Sequence, residues 1–537
     1  MAAASGSGSA GSGPRTARNI LFIMCDQLRW DYLGHAGHPY LDTPTIDALA
    51  ARGVAFERAF VQAPVCGGSR MCFYTGRYGT THGSHYNNFP LRVDEWMLGD
   101  YLRPLGVRTV LSGKTHFQPD IDTIKRLGID PESEMGRHLR QGGFEIHEWD
   151  DGLHPDPSLN REQPYLVYLR ELGYDSENPW HDFANSAEGP DGEVLSGWHM
   201  RYARLPARVK EEHSETPYMT NKCMELIDEL GETPWCIHLS YIKPHWPYVA
   251  PAPYHALYDN AQVLPPNRTD AERDDPHPVM AAFMKHGESA CFAEDECRET
   301  VIPTYMGLIR QIDDHLGRLM TFLEERGRLD DTMIVFTSDH GDYLGDHWLG
   351  EKDLFHEEIV RVPMIIVDPS ADADATRGTR SSALVESIDL IPTFIDRLGG
   401  DIPTHRLEGR SLMPWLRGEQ PDAWRDTVFC DGDFSVRTAR WELELEPVEA
   451  RGFMARTERY KYVEFIKHPP QLFDLENDPH ELHDLGRDPA YAAVRADMHE
   501  RLFRWFRGRR LRTTRSEAFL DKATGGAPRR GIHFGVW

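Results

Sequence analysis

Hydrophobic residues along this chain gather into short unbroken runs that end on acidic residues. Ile20 to Cys25 is apolar at every position, and Asp26 and Gln27 follow at once. Met333 to Phe336 repeats the design, with Asp339 and His340 just behind it. "VPMIIVDP" offers a further run of the same kind. Uninterrupted runs of this length suit strands buried on both faces, as in a parallel sheet covered by helices. In such sheets ligand sites lie beyond the carboxyl ends of the strands, where both acidic pairs fall. Between the runs the period becomes helical. "TPTIDALAARG" predicts a helix that opens after Thr43-Pro44 and stops at Gly53. A later segment sets Ile309, Ile312, Leu316, Leu319 and Leu323 on one face, with Gly327 as the stop. The alternation predicts an α/β domain over residues 18–420.

Two regions break this pattern. Residues 120–215 are rich in Pro, Gly, His, Trp and acids, with little periodicity, and read as an insertion near the active face, a candidate substrate lid. Over residues 425–506 "RTERYKYVEF" and "PPQLFDLENDP" predict a small sheet, and Asp488-Pro489 opens an amphipathic helix running to about Phe506. The tail, 507–537, is basic, ends in "GIHFGVW", and is a candidate contact in a homo-oligomer. Residues 1–17 are Gly/Ser-rich, have no apolar core, and read as a disordered leader.

Charge narrows the partners. A formal net charge of −26 opposes binding to phosphate backbones and anionic lipid surfaces, so neither nucleic acid nor a membrane is expected. No run approaches the roughly 20 apolar residues of a membrane span. With no secretory signal and eight scattered cysteines, a cytoplasmic location with free thiols is expected. An anionic substrate would then require locally gathered positive charge.

Asp26, Gln27, Asp339 and His340 present three oxygen-bearing side chains and one imidazole. That donor set suits Mg2+, Ca2+ or Mn2+ better than zinc, which prefers more His or Cys. Lys114 and His116 follow a short strand pattern, and residues two apart in an extended segment face the same way. His245 lies in "KPHWP", and Lys352 in "GEK". With Arg70 these groups could form a cationic pocket for a tetrahedral anion. Cys66 precedes two glycines, which permit close backbone approach, and Arg70 stands four residues on. "SRMCFYTG" could begin a helix, whose N-terminus would favour an anion or lower a thiol pKa.

The ordered series "NILFIMCDQ", "CGGSR…TGRY", "GVRTVLSGKTH", "KPHWPY", "FTSDHGD" and "GEK" resembles the sulfatase branch of the alkaline phosphatase superfamily, closest to bacterial arylsulfatases and phosphonate monoester hydrolases. The resemblance spans residues 18–506. It implies an alkaline phosphatase-like fold: a large central mixed, mostly parallel sheet flanked by helices, with a smaller C-terminal α+β subdomain. It also implies a formylglycine nucleophile, made by a formylglycine-generating enzyme from the cysteine of a C-x-P-x-R motif. Cys66 and Arg70 match its ends, while Gly68 departs from the usual Pro or Ala.

By the same resemblance, Asp26, Gln27, Asp339, His340 and the residue at 66 would hold one divalent metal ion, Mn2+ or Ca2+. Arg70, Lys114 and Lys352 would offset charge on the transferring group. His245 with Lys352 would protonate the leaving oxygen, and His116 would deprotonate the second hydroxyl of the hydrated aldehyde so that the anion departs. The resemblance implies hydrolysis of small-molecule sulfate monoesters, with promiscuity. "GKTH" favours sulfates, whereas the Asp-Gln and Asp-His pairs look more like the phosphonate monoester and phosphodiester hydrolases. Gly68 also leaves room for a catalytically silent, anion-binding member of the family.

Overall fold

The first apolar run lies at the middle of the sheet. In this computed structural model, which describes residues 17–152, 154, 159–524 and 526–531, it forms strand β1 (Asn19–Asp26), buried at every position. The main sheet continues with β2 (Val54–Phe60), β3 (Arg108–Gly113) and β4 (Glu145–Trp149). A separate pair, β5 (Ser186–Glu188) and β6 (Val194–Ser196), comes next in the chain. The main sheet then resumes with β7 (Trp235–Pro244), β8 (Thr332–Ser338), β9 (Arg361–Val362), β10 (Met364–Val367) and β11 (Thr379–Glu386). Its order is β11-β2-β10-β8-β1-β7-β3-β4, with β9 beside β2. Only β9 and β10 run antiparallel to their neighbours, so the sheet is mixed and mostly parallel.

Alternation along β1 explains its unbroken apolar run. Ile20, Phe22 and Met24 enter one hydrophobic core, while Leu21, Ile23 and Cys25 enter another on the opposite face. The second core is covered by the long helix Asp295–Glu325 through Ile309, Ile312, Leu316, Leu319 and Leu323. The first receives Met71, Phe73 and Tyr74 from helix Cys66–Thr75. The helix expected after Thr43 runs over Pro44–Arg52. Its N-terminal amides at Thr45 and Ile46 are capped by Asp313 of the long helix, not by Thr43.

Register sets the functional groups level with one another. Cys25 pairs with Ser338, so Asp26 and Asp339 leave adjacent strands at the same height. Asp26 pairs with Pro244 after a shift in the ladder, which brings the β7 exit alongside. Residues 145–149 of the irregular region supply the sheet's edge strand β4, and the same region carries β5 and β6.

The C-terminal residues build a four-stranded antiparallel sheet from β12 (Val428–Asp433), β13 (Arg451–Arg456), β14 (Tyr460–Phe465) and β15 (Gln471–Asp474). "RTERYKYVEF" is a hairpin spanning the β13–β14 turn. Helix Ala492–Arg507 packs on this sheet, and Asp488 caps the turn before it. Among the described residues no helix is long and apolar enough to cross a membrane. The leader to residue 16 and the aromatic end from residue 532 lie outside the described residues.

Candidate active site

Four parallel strands deliver the predicted groups to one end of the sheet. Asp26 and Gln27 leave β1, Asp339 and His340 leave β8, Lys114 and His116 leave β3, and His245 leaves β7. Cys66 opens helix Cys66–Thr75, and Lys352 comes from the loop after β8. Cys66 Sγ is the point on which they converge. It lies 3.1 Å from His340 Nε2, 3.2 Å from Lys352 Nζ and 3.5 Å from Asp26 Oδ1.

The two glycines after Cys66 are explained by close packing. A Cβ at Gly67 would stand 2.9 Å from the Asn87 Cα, and one at Gly68 2.7 Å from the His85 carbonyl oxygen. The backbone of residues 85–87 crosses the helix where no side chain fits, and Gly67 N–H donates to Asn87 Oδ1 at 2.7 Å.

Arg70 ties the two acids together. Its Nε donates to Asp339 Oδ2 at 2.7 Å and its Nη2 to Asp26 Oδ2 at 3.1 Å. Nη1 donates to the Lys114 carbonyl and to Ser240 Oγ, so the fully buried guanidinium is fixed on all sides. Lys114 Nζ lies 2.7 Å from Asp26 Oδ2. These contacts occupy one oxygen of each acid. Asp26 Oδ1 remains 3.7 Å from His340 Nε2 and 3.9 Å from His245 Nε2.

Charge sets the protonation states. Burial acts to raise the Asp26 carboxyl, but Lys114, His245, Arg70 and His340 hold it well below the usual carboxylate range. The Cys66 thiol feels burial and Asp26 pushing up, yet Lys352, His340 and Lys114 bring it down to about 6. Burial works against a charged His340, but Asp339 and Cys66 raise it to about 9. Burial and then Lys352 lower His245 to about 4. Lys352 Nζ sits 3.1 Å from His245 Nε2, so a charged lysine faces a neutral imidazole.

His116 reaches the site by a route that strand alternation does not describe. β3 ends at Gly113, and His116 takes a left-handed φ of 53°. The amides of Thr115 and His116 both donate to Asp151 Oδ1 at 2.8 Å, which bends the chain there. The expected extended segment is therefore a turn, bent by those two bonds. His116 Nδ1 is buried without a hydrogen-bond partner, and burial and Lys114 lower the ring to about 3. A neutral imidazole of this kind can accept a proton.

Two carboxylates, one imidazole and one thiol form a candidate metal site. Ligand atoms of Asp26, Cys66, Asp339 and His340 all lie within 4.8 Å of one another and all four residues are buried. Gln27 stands beside this group, its backbone N–H donating to Asp339 Oδ1 at 3.0 Å. Its Nε2 donates to Asp342 Oδ2 and to Tyr248 OH, which leaves Oε1 turned inward, 3.2 Å from Lys352 Nζ. Sequence reasoning missed Asp342, Tyr248, Asp151 and Ser69, whose hydroxyl donates to the Asp339 carbonyl at 2.6 Å. Asp342, Ser69 and Tyr248 lie inside the quoted motifs "FTSDHGD", "CGGSR" and "KPHWPY", whereas Asp151 had no local signal.

Comparison with known proteins identifies the family. The sulfatase family model matches residues 18–130 and 136–400. A second, for the C-terminal part of N-sulphoglucosamine sulphohydrolase, matches residues 345–507. The chain is 32% identical over 513 residues to the multifunctional alkaline phosphatase superfamily protein PehA of Trinickia caryophylli, covering 91% of this chain and 95% of the relative. It is 26% identical over 491 residues to an arylsulfatase of Clostridium perfringens, covering 88% and 91%. Among solved structures, the phosphonate monoester hydrolase SpPMH from Silicibacter pomeroyi superposes with a TM-score of 0.79 at 30% identity, over 92% of this chain and 96% of that one. The phosphonate monoester hydrolase of Agrobacterium radiobacter gives 0.79 at 29% identity, over 91% and 95%.

Proposed function

This chain belongs to the sulfatase family of the alkaline phosphatase superfamily, and on that premise we propose that it is a formylglycine- and metal-dependent hydrolase of small-molecule sulfate monoesters. The observation that carries the reading is the convergence of two lysines, an arginine and a low-pKa thiol on one buried point. A sulfate ester has three non-bridging oxygens, and Lys114 adds a cation beyond those of Lys352 and Arg70. A phosphonate carries a carbon in place of one such oxygen and has less use for it.

Cys66 is read as the precursor of formylglycine, formed by a formylglycine-generating enzyme, which as a hydrated aldehyde supplies one hydroxyl for attack and a second for release. Asp26, Gln27, Asp339, His340 and residue 66 would hold one Mn2+ or Ca2+, which when bound supplies a Lewis acid beside the nucleophile. Arg70 keeps the two acids in register. Lys352 and His245, in contact with each other, form the proton donor for the departing oxygen. His116, neutral and unpartnered at Nδ1, accepts the proton that frees the sulfate. The reading also includes a cytoplasmic location, consistent with eight cysteines outside any disulfide, and a homo-oligomer contacted by the tail. Light scattering on the full chain and on one ending at residue 507 tests the latter.

A second reading, hydrolysis of phosphonate monoesters or phosphodiesters by the same nucleophile, is favoured by the likeness to the two phosphonate monoester hydrolases. Mass spectrometry of the tryptic peptide over residues 59–70 tests the nucleophile. An aldehyde supports it, and an intact thiol in turning-over enzyme overturns it. The ratio of kcat/KM for an aryl sulfate and an aryl phosphonate separates the readings. A large preference for the phosphonate would replace the first by the second.

A further inference from the structure

Of the eight cysteines, all among the described residues, Cys291 alone is exposed. Its sulfur lies 3.3 Å from that of Cys297, which is buried in the first turn of the long helix Asp295–Glu325. Cys291 belongs to the short helix Gly287–Phe292, so the pair links two separate elements. None of the groups at the strand ends uses either thiol. A free cysteine placed for packing is a small buried hydrophobe, which describes Cys297 and not Cys291. An exposed thiol backed by a buried one is the arrangement in which the first meets an oxidant and the second resolves the adduct. Burial and the neighbouring Cys291 push the Cys297 thiol up, so Cys291 reacts first. The two sulfurs need to close by little more than about 1 Å to reach a disulfide bond of about 2.05 Å.

One partner of the pair is anchored. Cys297 contributes to the second core, and Arg298 beside it donates to the Leu264 carbonyl at 2.8 Å and the Leu344 carbonyl at 3.3 Å. The other partner sits on a brace behind the Lys352 loop. Gly350 N–H donates to Ser289 Oγ at 3.2 Å. A Cβ at Gly350 would stand 2.7 Å from the Glu288 carbonyl oxygen and 2.7 Å from the Phe292 ring. Glu288 also pairs with Arg437, which lies 3.6 Å from Glu351. Gly350 and Glu351 lead directly into Lys352. Whatever restrains the short helix therefore restrains this loop.

We infer that Cys291 and Cys297 form a reversible thiol–disulfide switch, oxidised by a low-molecular-weight disulfide such as oxidised glutathione. The closed bond ties the Gly287–Phe292 brace to the long helix and steadies the Lys352 loop. The Cys291 thiolate attacks one sulfur of the glutathione disulfide, and one glutathione leaves as a thiolate. The Cys297 sulfur then bonds to the Cys291 sulfur while the bond to the second glutathione breaks. That departing thiolate takes the proton that Cys297 gives up. Two cysteines are thereby oxidised by two electrons, and one glutathione disulfide is reduced to two thiols. In a reducing compartment the dithiol prevails, and the bond closes only as the disulfide pool rises. The switch goes beyond the ester-hydrolase reading and does not depend on what the site hydrolyses.

The test treats the full chain, Cys291→Ser and Cys297→Ser with oxidised glutathione and then with dithiothreitol. Mass spectrometry reads the tryptic peptide over residues 286–298, which holds both thiols. In the wild type it should lose two hydrogens and regain them in dithiothreitol. Cys297→Ser should instead keep one glutathione on Cys291, and Cys291→Ser should stay unmodified in this peptide. Deuterium uptake over residues 349–353 should slow roughly two- to ten-fold in oxidised wild type and not in treated Cys291→Ser. Wild type that retains glutathione on Cys291, or keeps both thiols free, overturns the inference. So does unchanged uptake once the bond has formed. The wild-type comparison, oxidised against re-reduced, decides the matter even where a variant fails to fold. Turnover of aryl esters, present or absent, bears on the ester-hydrolase reading alone.

Discussion

At the strand ends Asp26, Arg70, Lys114 and His340 are fully buried around a single sulfur atom. Where the C-terminal sheet meets the loop after β8, Lys461, Glu357 and Glu481 are buried almost as deeply. There each charge is used up. Lys461 Nζ donates to the Phe355 carbonyl oxygen at 2.9 Å and forms ion pairs with Glu481 at 2.7 Å and Glu357 at 3.1 Å. Phe355 itself fits over Gly432 and Gly452, which face each other across β12 and β13. A Cβ at either glycine would stand 2.8 or 2.7 Å from its ring. Phe355 is three residues from Lys352, so this seam steadies the loop that carries a lysine of the candidate site. At the strand ends the charges are not used up: Asp26 Oδ1, His340 Nε2 and the Cys66 sulfur point at common space. Buried charge that is fully paired holds structure together, and buried charge that converges without complete pairing is available to a ligand.

The largest test of this contrast is Lys114→Ala. On the proposed reading, in which Lys114 faces the transferring group, it should lower kcat for an aryl sulfate by roughly 10²–10³, read in steady-state kinetics. Near-wild-type turnover would show that the strand-end charges serve structure as the seam does. Lys461→Met should act in the opposite sense. Removing one partner from a buried, saturated cluster costs about 3–5 kcal/mol in chemical denaturation. An unchanged midpoint would break the contrast from the other side.

A smaller effect is expected at Gly68→Ala. The new methyl would press on the His85 carbonyl, costing about 1–3 kcal/mol. The family motif predicts a larger aldehyde fraction in the same peptide, so stability and modification should move apart. Equal or greater stability would remove the packing explanation for glycine there.

The smallest effect is a pH dependence at the seam. Burial outweighs Lys461 and raises Glu481 to about 7, above its ordinary 4.5. The folded state therefore binds this proton more tightly than the unfolded state. Its contribution is complete below pH 4.5 and is lost as pH rises towards 7. Burial also acts to raise Glu357, but Lys461, Arg456 and Arg361 lower it to about 2, so its contribution is lost only as pH falls from 4.5 towards 2. Melting curves of wild type and Glu481→Gln should therefore diverge between pH 4.5 and 7, with the wild type losing more stability as pH rises. Parallel curves would show that Glu481 does not titrate in that window.

The amino-acid sequence by itself determined the strands β1 and β8, their acidic ends, the long helix face and the order of the chemical motifs. Each of these follows from local rules: a strand covered on both faces must be apolar throughout, and polar residues begin where the strand leaves the core. Only the tertiary structure decided that Asp342 and Tyr248 turn the Gln27 amide, that Asp151 bends the chain at His116, that Trp198 meets Trp246, and that two glycines receive Phe355. Those partners lie tens to hundreds of residues apart in the chain. No periodicity links them, because their contacts arise when the sheet assembles and brings distant loops to the same end.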